Sequence, residues 1–287
     1  MRRILALATA ILSLATISQK SLAQNIVPVG SELTNYVNPF VGTDAHGHTY
    51  PGATVPFGMV QLSPDTRLEG WDGCGGYHYS DSIVYGFSHT HLQGTGVSDY
   101  GDVLFMPTNG KTVPAEHWRD SYKSKFSHKN EKATPGYYEI KLDNYNIKAR
   151  LTTTERVGIH EYTIQPGDTC RLFIDMMHRD NLKYYDIQTV GDTAIYGYRV
   201  SEAWATDQHA CFYAVFSQPF TEFTQLMQRY DEILETGERN ITYEEVQIFA
   251  MLFAPKDPSK PNTITVKVGW SGTTPEGALK NLQAEAP

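Results

Sequence analysis

Cysteine is scarce in this chain of 287 residues: there are three, too few for a disulfide scaffold. Basic residues are outnumbered, 24 Lys and Arg against 32 Asp and Glu, giving a formal net charge of −8. That balance excludes the basic footprint of a nucleic-acid binder. No CxxC or HExxH spacing is present, so the usual zinc signatures are missing. No Gly-x-Ser-x-Gly supports a serine hydrolase, and Gly94-x-Gly96 has neither the third Gly nor the βαβ setting of a nucleotide fingerprint. No internal repeat or low-complexity linker interrupts the chain. What it has in quantity is aromatic: 18 Tyr and 12 Phe within a 40% hydrophobic composition. This is globular, and it suits β structure and sugar-facing surfaces alike.

The one long apolar run is at the start. Arg2 and Arg3 precede Ile4 to Ile17, and Ser21-Leu22-Ala23 supplies small residues for cleavage. This is the three-part pattern of a secretory signal peptide, residues 1–23, too short for a stable transmembrane span. No Cys follows it, which argues against a bacterial lipid anchor. The chain is therefore expected to be exported, periplasmic or extracellular, with no membrane association after cleavage. Cys74, Cys170 and Cys211 would then meet an oxidising compartment. One pair at most can form; Cys170 and Cys211 lie in apolar runs, and two buried free thiols fit equally well.

Period-2 alternation dominates the middle and end of the chain. Ile147, Ala149 and Leu151 alternate with polar residues, as do Leu172, Ile174 and Met176, then Ala194, Tyr196, Tyr198 and Val200, then Ile264, Val266, Val268 and Trp270. Ala210 to Phe216 and Val246 to Ala254 are continuous apolar runs, read as buried strands. Pro166-Gly167-Asp168, Gly191-Asp192 and Pro255 to Pro261 are turns between them. The fold class is mainly β: a large antiparallel sandwich over residues 24–274. Thr221 to Leu234, with Phe223, Leu226, Met227 and Tyr230 at helical spacing, reads as a helix or a long loop. Thr274 and Pro275 form an N-cap and first helical position. Ala278, Leu279 and Leu282 then make a stripe on a short C-terminal helix, read as the start of an interdomain segment, 275–287; docking of that helix on the sandwich is the alternative.

Residues 38–110 are different: dense in Gly, His, Asp and aromatics. Such segments are loops, and loops carry function. His46-Gly47-His48 and His89-Thr90-His91 each place two His two apart. Together they permit a four-His metal site; hydrogen-bonding His in Gly-rich turns, or neutral imidazoles meeting a sugar, fit as well. Gly70-Trp71-Asp72-Gly73-Cys74-Gly75-Gly76-Tyr77-His78-Tyr79 holds four Gly in seven residues. The free backbone allows close ligand approach, and Trp71 is either a stacking platform for a pyranose or a core Trp. Asp99 and Asp102 are either a carboxylate pair for acid–base work or turn formers.

Read together, these segments resemble something specific. Asn38-Pro39-Phe40-Val41-Gly42-Thr43, Gly47 to Ala53, Pro56-Phe57-Gly58-Met59-Val60-Gln61-Leu62-Ser63-Pro64-Asp65, Trp71 to Tyr79, and Gly86-Phe87-Ser88-His89-Thr90-His91-Leu92 with Gly94-Thr95-Gly96 resemble the N-terminal domain of glycoside hydrolase family 92. So does the closing Gly277-Ala278-Leu279-Lys280-Asn281-Leu282 run. The resemblance implies a galactose-mutarotase-like supersandwich, and an exported α-mannosidase that hydrolyses α-mannosidic bonds with inversion and depends on calcium. It implies that a helical (α/α)6 barrel domain, in cis or in trans, supplies the general acid, the general base and most calcium contacts, and that this domain lies beyond Pro287. No catalytic residue and no metal ligand is therefore assigned here, and calcium belongs to the complete family enzyme. Mannose-containing glycans are the expected ligands. Trp71 is expected to stack on the sugar at the leaving-group side, with His48, Asp72, Cys74, Tyr77, His89 and His91 as pocket-side candidates. A free-standing periplasmic mannoside-binding or partner-docking module is the alternative.

Overall fold

The structure is a computed structural model that describes residues 33–110, 117–234, 236 and 239–287. The expected signal peptide, 1–23, lies outside the described residues. The chain divides into two units, residues 1–37 and 38–287. In the first, Leu33–Tyr36 forms a single 3-10 turn. The second carries all the described strands and the helix.

Its strands are β1 (Ala53–Thr54), β2 (Gln61–Asp65), β3 (Ile83–Val84), β4 (Gly86–Ser88), β5 (Leu104–Thr108) and β6 (Ser124–Lys125). Next come β7 (Glu131–Thr134), β8 (Tyr137–Leu142), β9 (Ile147–Thr153), β10 (Val157–Ile164), β11 (Cys170–Asp175) and β12 (Asn181–Val190). The last are β13 (Ala194–Glu202), β14 (Gln208–Phe216), β15 (Glu222–Ile233), β16 (Arg239–Phe253) and β17 (Asn262–Ser271), followed by helix α1 (Pro275–Glu285). One sheet has seven strands in the order β1-β2-β4-β5-β11-β16-β15; the other has eight, β12-β13-β14-β17-β10-β9-β8-β7; β3 and β6 pair apart. Each of these pairings is antiparallel.

The inner faces meet through aromatic rings. Phe87 of β4 stacks near Tyr162 of β10 with centroids 6.3 Å apart, Phe105 of β5 meets Phe212 of β14 at 6.3 Å, and Phe253 of β16 meets Phe216 of β14 at 5.4 Å. All six rings are buried, each contributing about 1.5–3 kcal/mol by leaving water. The alternation expected for β9 and β17 is present: Ile147, Ala149, Leu151, Ile264, Val266, Val268 and Trp270 all face inward. Cys74, Cys170 and Cys211 are free and buried.

One strand reading is incomplete and one needs correction. In β13 both sides are covered: Ala194 and Val200 of the expected set are buried and Tyr196 and Tyr198 half-buried, while the opposite side, Ile195, Arg199 and Ser201, is enclosed more completely. That more enclosed face carries a charge and a hydroxyl, so apolarity does not mark it. Thr221 to Leu234 is neither helix nor loop but strand β15, paired along β16. The register slips by two residues between Gln225 and Met227, where β16 runs from Phe249 to Glu245, and the more buried side of β15 runs Phe223, Gln225, then Leu226 and Gln228. That irregularity switches the buried side from odd to even positions, so Phe223 and Leu226, three apart, fall on one side as they would on a helix.

Helix α1 forms where its cap predicts: the Thr274 hydroxyl accepts from Gly277 N at 3.0 Å. Its stripe has a partner, because Ala278 and Leu282 are buried against β17. Glu285 accepts from Arg156 N at 2.8 Å and from Thr154 Oγ1 at 2.5 Å, tying the last turn to the β9–β10 hairpin. Gly269 makes the close approach possible, since a Cβ there would overlap the Ala278 carbonyl. Gly269→Ala must push the helix off the sheet, and an expected loss of about 1–3 kcal/mol is measurable by urea denaturation. An unchanged midpoint would show that the helix is not seated this way.

Candidate functional site

Three glycine-rich loops are laced together. In the first, Thr49 N donates to Gly42 O at 3.2 Å, closing a turn that presents His46 and His48. The second holds the 3-10 turn Trp71–Gly73. The third runs through Gly94 and Gly96. Gly94 N donates to His48 O at 2.7 Å, joining the first loop to the third. The Cys74 thiol donates to Thr95 O at 2.8 Å, joining the second to the third. Arg179, in the turn between β11 and β12, clasps both from behind: its guanidinium donates to Gly73 O at 3.1 Å and to the Ser98 hydroxyl.

At the meeting point stands Trp71, 64% exposed. Its indole lies against Gly96, where any Cβ would overlap the ring. His48 meets its edge, with centroids 5.3 Å apart and planes at 72°. The ring is thus fixed from two sides and still open to solvent. Asp72 is the neighbouring acid. Its Oδ1 lies 2.9 Å from His46 Nδ1 and 3.8 Å from His48 Nε2. The hydrogen bond from His46 holds the Asp72 carboxyl below its ordinary range. His48 Nε2 is buried without a hydrogen-bond partner among the described residues. Trp71, His48 and Asp72 are therefore brought together.

The other candidates are placed elsewhere. The Cys74 thiol is buried and committed to Thr95, and burial pushes its pKa up. The Tyr77 phenol points inward to Glu131, at 2.9 and 3.1 Å, and shares that carboxylate with Tyr138 and His128. His91 is buried against Asp65 at 3.2 Å, where Ser88 and His178 also converge. Burial alone would raise the Asp65 carboxyl, but the flanking His91 and His178 rings hold it well below the usual carboxylate range. His89 is farther in, stacked on Trp270 at 5.3 Å with its Nε2 3.0 Å from His160 Nε2. The expectation that Cys74, Tyr77, His89 and His91 face a ligand is corrected: short-range motifs put them near Trp71 in sequence, while their strands and turns point them into the body. They set the loops in place.

The acid–base reading of Asp99 and Asp102 meets the same fate. Asp102 forms a buried ion pair with Arg199 and accepts from Thr90 at 2.8 Å and Gln208 at 2.5 Å. Asp99 accepts from Ala205 N at 3.1 Å. Nor do His46, His48, His89 and His91 converge, and among the described residues no group of three or more His, Cys, Asp or Glu is arranged to hold a metal ion. Calcium takes six to eight oxygen ligands. Asp65, Asp72 and Asp102 are committed to imidazoles or a guanidinium, so this donor set does not fit that ion.

The model of the Glycosyl hydrolase family 92 N-terminal domain matches residues 36–271. The chain belongs to this family. An α-mannosidase of the family from Bacteroides thetaiotaomicron, solved with mannoimidazole, superposes with a TM-score of 0.77 at 33% identity, over 88% of this chain and 34% of that one. An inverting family 92 mannosidase from the same organism gives 0.68 at 25% identity, over 88% and 33%. An uncharacterised secreted glycosidase of Arthroderma benhamiae is 33% identical over 135 residues, 46% of this chain and 17% of its own length. The chain thus spans about a third of the solved relatives it matches. No helix among the described residues is long and apolar enough to cross a membrane.

Within this family 92 domain, sequence reading missed the buried polar framework of Asp65, His160, His178, Arg179 and Arg199, and the half-buried Asp180 beside it. Burial pushes the Asp180 carboxyl up to about 6, with Asp102 adding to the effect. The one available signal was a charged residue inside a strand pattern, as with Arg199 between Tyr198 and Val200.

Proposed function

We propose that this chain is the sugar-contacting N-terminal domain of an exported α-mannosidase that hydrolyses α-mannosidic bonds in glycans with inversion. In this reading Trp71 stacks on the apolar face of a mannose unit at the leaving-group side, with His48 and Asp72 as the polar edge of the same wall. The observation that carries it is the exposed indole fixed over Gly96 and against His48. Family membership and the mannosidase names of the solved relatives support the substrate class. An inverting glycosidase needs two carboxyl groups about 6.5–9.5 Å apart across the scissile bond. Those groups, with calcium, belong to a helical (α/α)6 barrel acting in cis or in trans. This chain's part is to bind, to orient and to keep one side of the sugar out of water.

The test is calorimetry with mannobiose on the whole chain. Trp71→Ala is expected to weaken binding at least tenfold, about 1.4 kcal/mol. Gly96→Val, which displaces the indole without deleting it, should act in the same direction. Mannose release by the chain alone should stay at background. Equal heats for parent and Trp71→Ala would overturn the reading.

A further inference from the structure

A second cavity, of about 530 Å³, opens between the segment before β2, the 90–102 loop and the β13–β14 hairpin. Its lining shares no residue with the Trp71 wall. That volume lies within the ordinary range for small-molecule sites. Two amides on it are each half used. Gln208 donates its Nε2 to Asp102, which leaves its amide oxygen to accept. Gln61 accepts His91 N through its Oε1 at 3.0 Å, which leaves its amide N–H groups to donate. The Tyr100 phenol also lines the cavity. Met59 and Trp270 add apolar surface.

Asp102 is neutralised by Arg199, while Asp207 lies 3.2 Å from His209 and shares Lys183, at 3.9 Å, with the nearer Glu202, so any residual charge in the lining is acidic. Among the described residues no Lys or Arg is part of the lining, so a phosphate or carboxylate would find no counter-charge there. A fixed amide acceptor, a fixed amide donor, a phenol and aromatic edges, all neutral, suit a ligand rich in hydroxyls.

We propose that this cavity is a second carbohydrate position that takes a neutral hexose unit, separate from the Trp71 wall. The proposal rests on the reading that the chain meets glycans. Gly272 provides a blocking variant: a Cβ there would have its nearest neighbour, His209 O, 4.0 Å away, so a side chain is accommodated by the backbone and enters the cavity.

The experiment is an amide-resolved NMR titration of the full chain with methyl α-D-mannopyranoside, in the parent, Trp71→Ala and Gly272→Leu. Expected are shifts at the amides of Tyr100, Gln208 and Gly272 that persist in Trp71→Ala and fall at least tenfold in apparent affinity in Gly272→Leu. Tyr100→Phe, which deletes only the phenol oxygen, should weaken the same shifts several-fold and stands in if Gly272→Leu does not fold. Shifts confined to His48, Trp71 and Gly96 would overturn the cavity and leave the Trp71 wall standing. Cavity shifts without any at Trp71 would support the cavity and overturn the wall. Cavity shifts undiminished in Gly272→Leu and Tyr100→Phe, or no shifts anywhere, would overturn the proposal.

Discussion

Arg199→Met is expected to cost about 3–5 kcal/mol, the scale for removing one partner of a buried ion pair. Arg199 is fully enclosed on β13. Its guanidinium binds Asp102, the Ser201 hydroxyl at 2.8 Å, Met176 O at 2.9 Å and Arg179 O. Those partners belong to three elements: the 99–102 loop, the turn after β11 and β13 itself. Deleting the guanidinium leaves the Asp102 carboxylate buried with only neutral donors, and frees the turn whose Arg179 clasps Gly73 and Ser98. A domain stable by about 5–15 kcal/mol then loses a large share of its margin. Arg199→Lys should also fall well short of the parent, because one ammonium cannot reproduce the planar fork. Arg199→Met combined with Asp102→Leu should recover much of the loss, since it removes the orphaned charge along with its partner. Urea denaturation of the three variants measures this. A cost below about 1 kcal/mol for the single Met variant would show that the pair contributes little.

That pair also shows what the sequence could and could not reveal. The strands were legible wherever one face is apolar, as in β9 and β17, because a period of two needs only hydrophobicity to be seen. β13 was legible on only one of its two covered sides, because the other holds Arg199 and Ser201, whose place inside depends on Asp102, 97 residues away. β15 was misread because one register irregularity switches its buried side and leaves a helix-like spacing. At the candidate site, Trp71 and His48 were legible as types: an aromatic and an imidazole among glycines. Their juxtaposition was not, since it depends on Gly96 leaving room for the ring and on Gly94 binding His48 O. The motif histidines were legible as a pattern but not as a role. His89 and His91 are two apart, yet one enters the core beneath Trp270 and the other lies against Asp65.

Acidification should destabilise the chain between pH 6.5 and about 4 through the His89–His160 pair. The pair forms one hydrogen-bonded chain. Tyr162 Oη lies 2.8 Å from His160 Nδ1, the two Nε2 atoms are 3.0 Å apart, and His89 Nδ1 donates to Val103 O at 3.0 Å. Burial keeps both rings neutral; His89 Nδ1–H is committed to Val103 O, so the one proton between the rings sits on His160 Nε2, which donates to His89, and the Tyr162 hydroxyl donates to His160 Nδ1. Burial drives the His89 pKa down from 6.5 to about 4 and drives His160 well below its ordinary value, with repulsion from His89 adding to it. Above pH 6.5 neither the folded nor the unfolded chain protonates these rings, and their full contribution is present. As pH falls below 6.5 the unfolded chain takes up protons that the folded chain refuses, so stability drops until the folded His89 titrates near 4. For His89 alone the shift corresponds to about 3 kcal/mol across that window. The measurement is the urea midpoint as a function of pH in the parent and in the paired variant His89→Leu, His160→Leu. The parent should lose stability through the window, and the paired variant should lose markedly less there while still falling at lower pH, where the unfolded chain's carboxyls take up protons that Asp65 and the other depressed carboxylates refuse in the fold. Identical slopes between pH 6.5 and 4 would assign the acid sensitivity to other groups and leave the histidine pair a packing feature only.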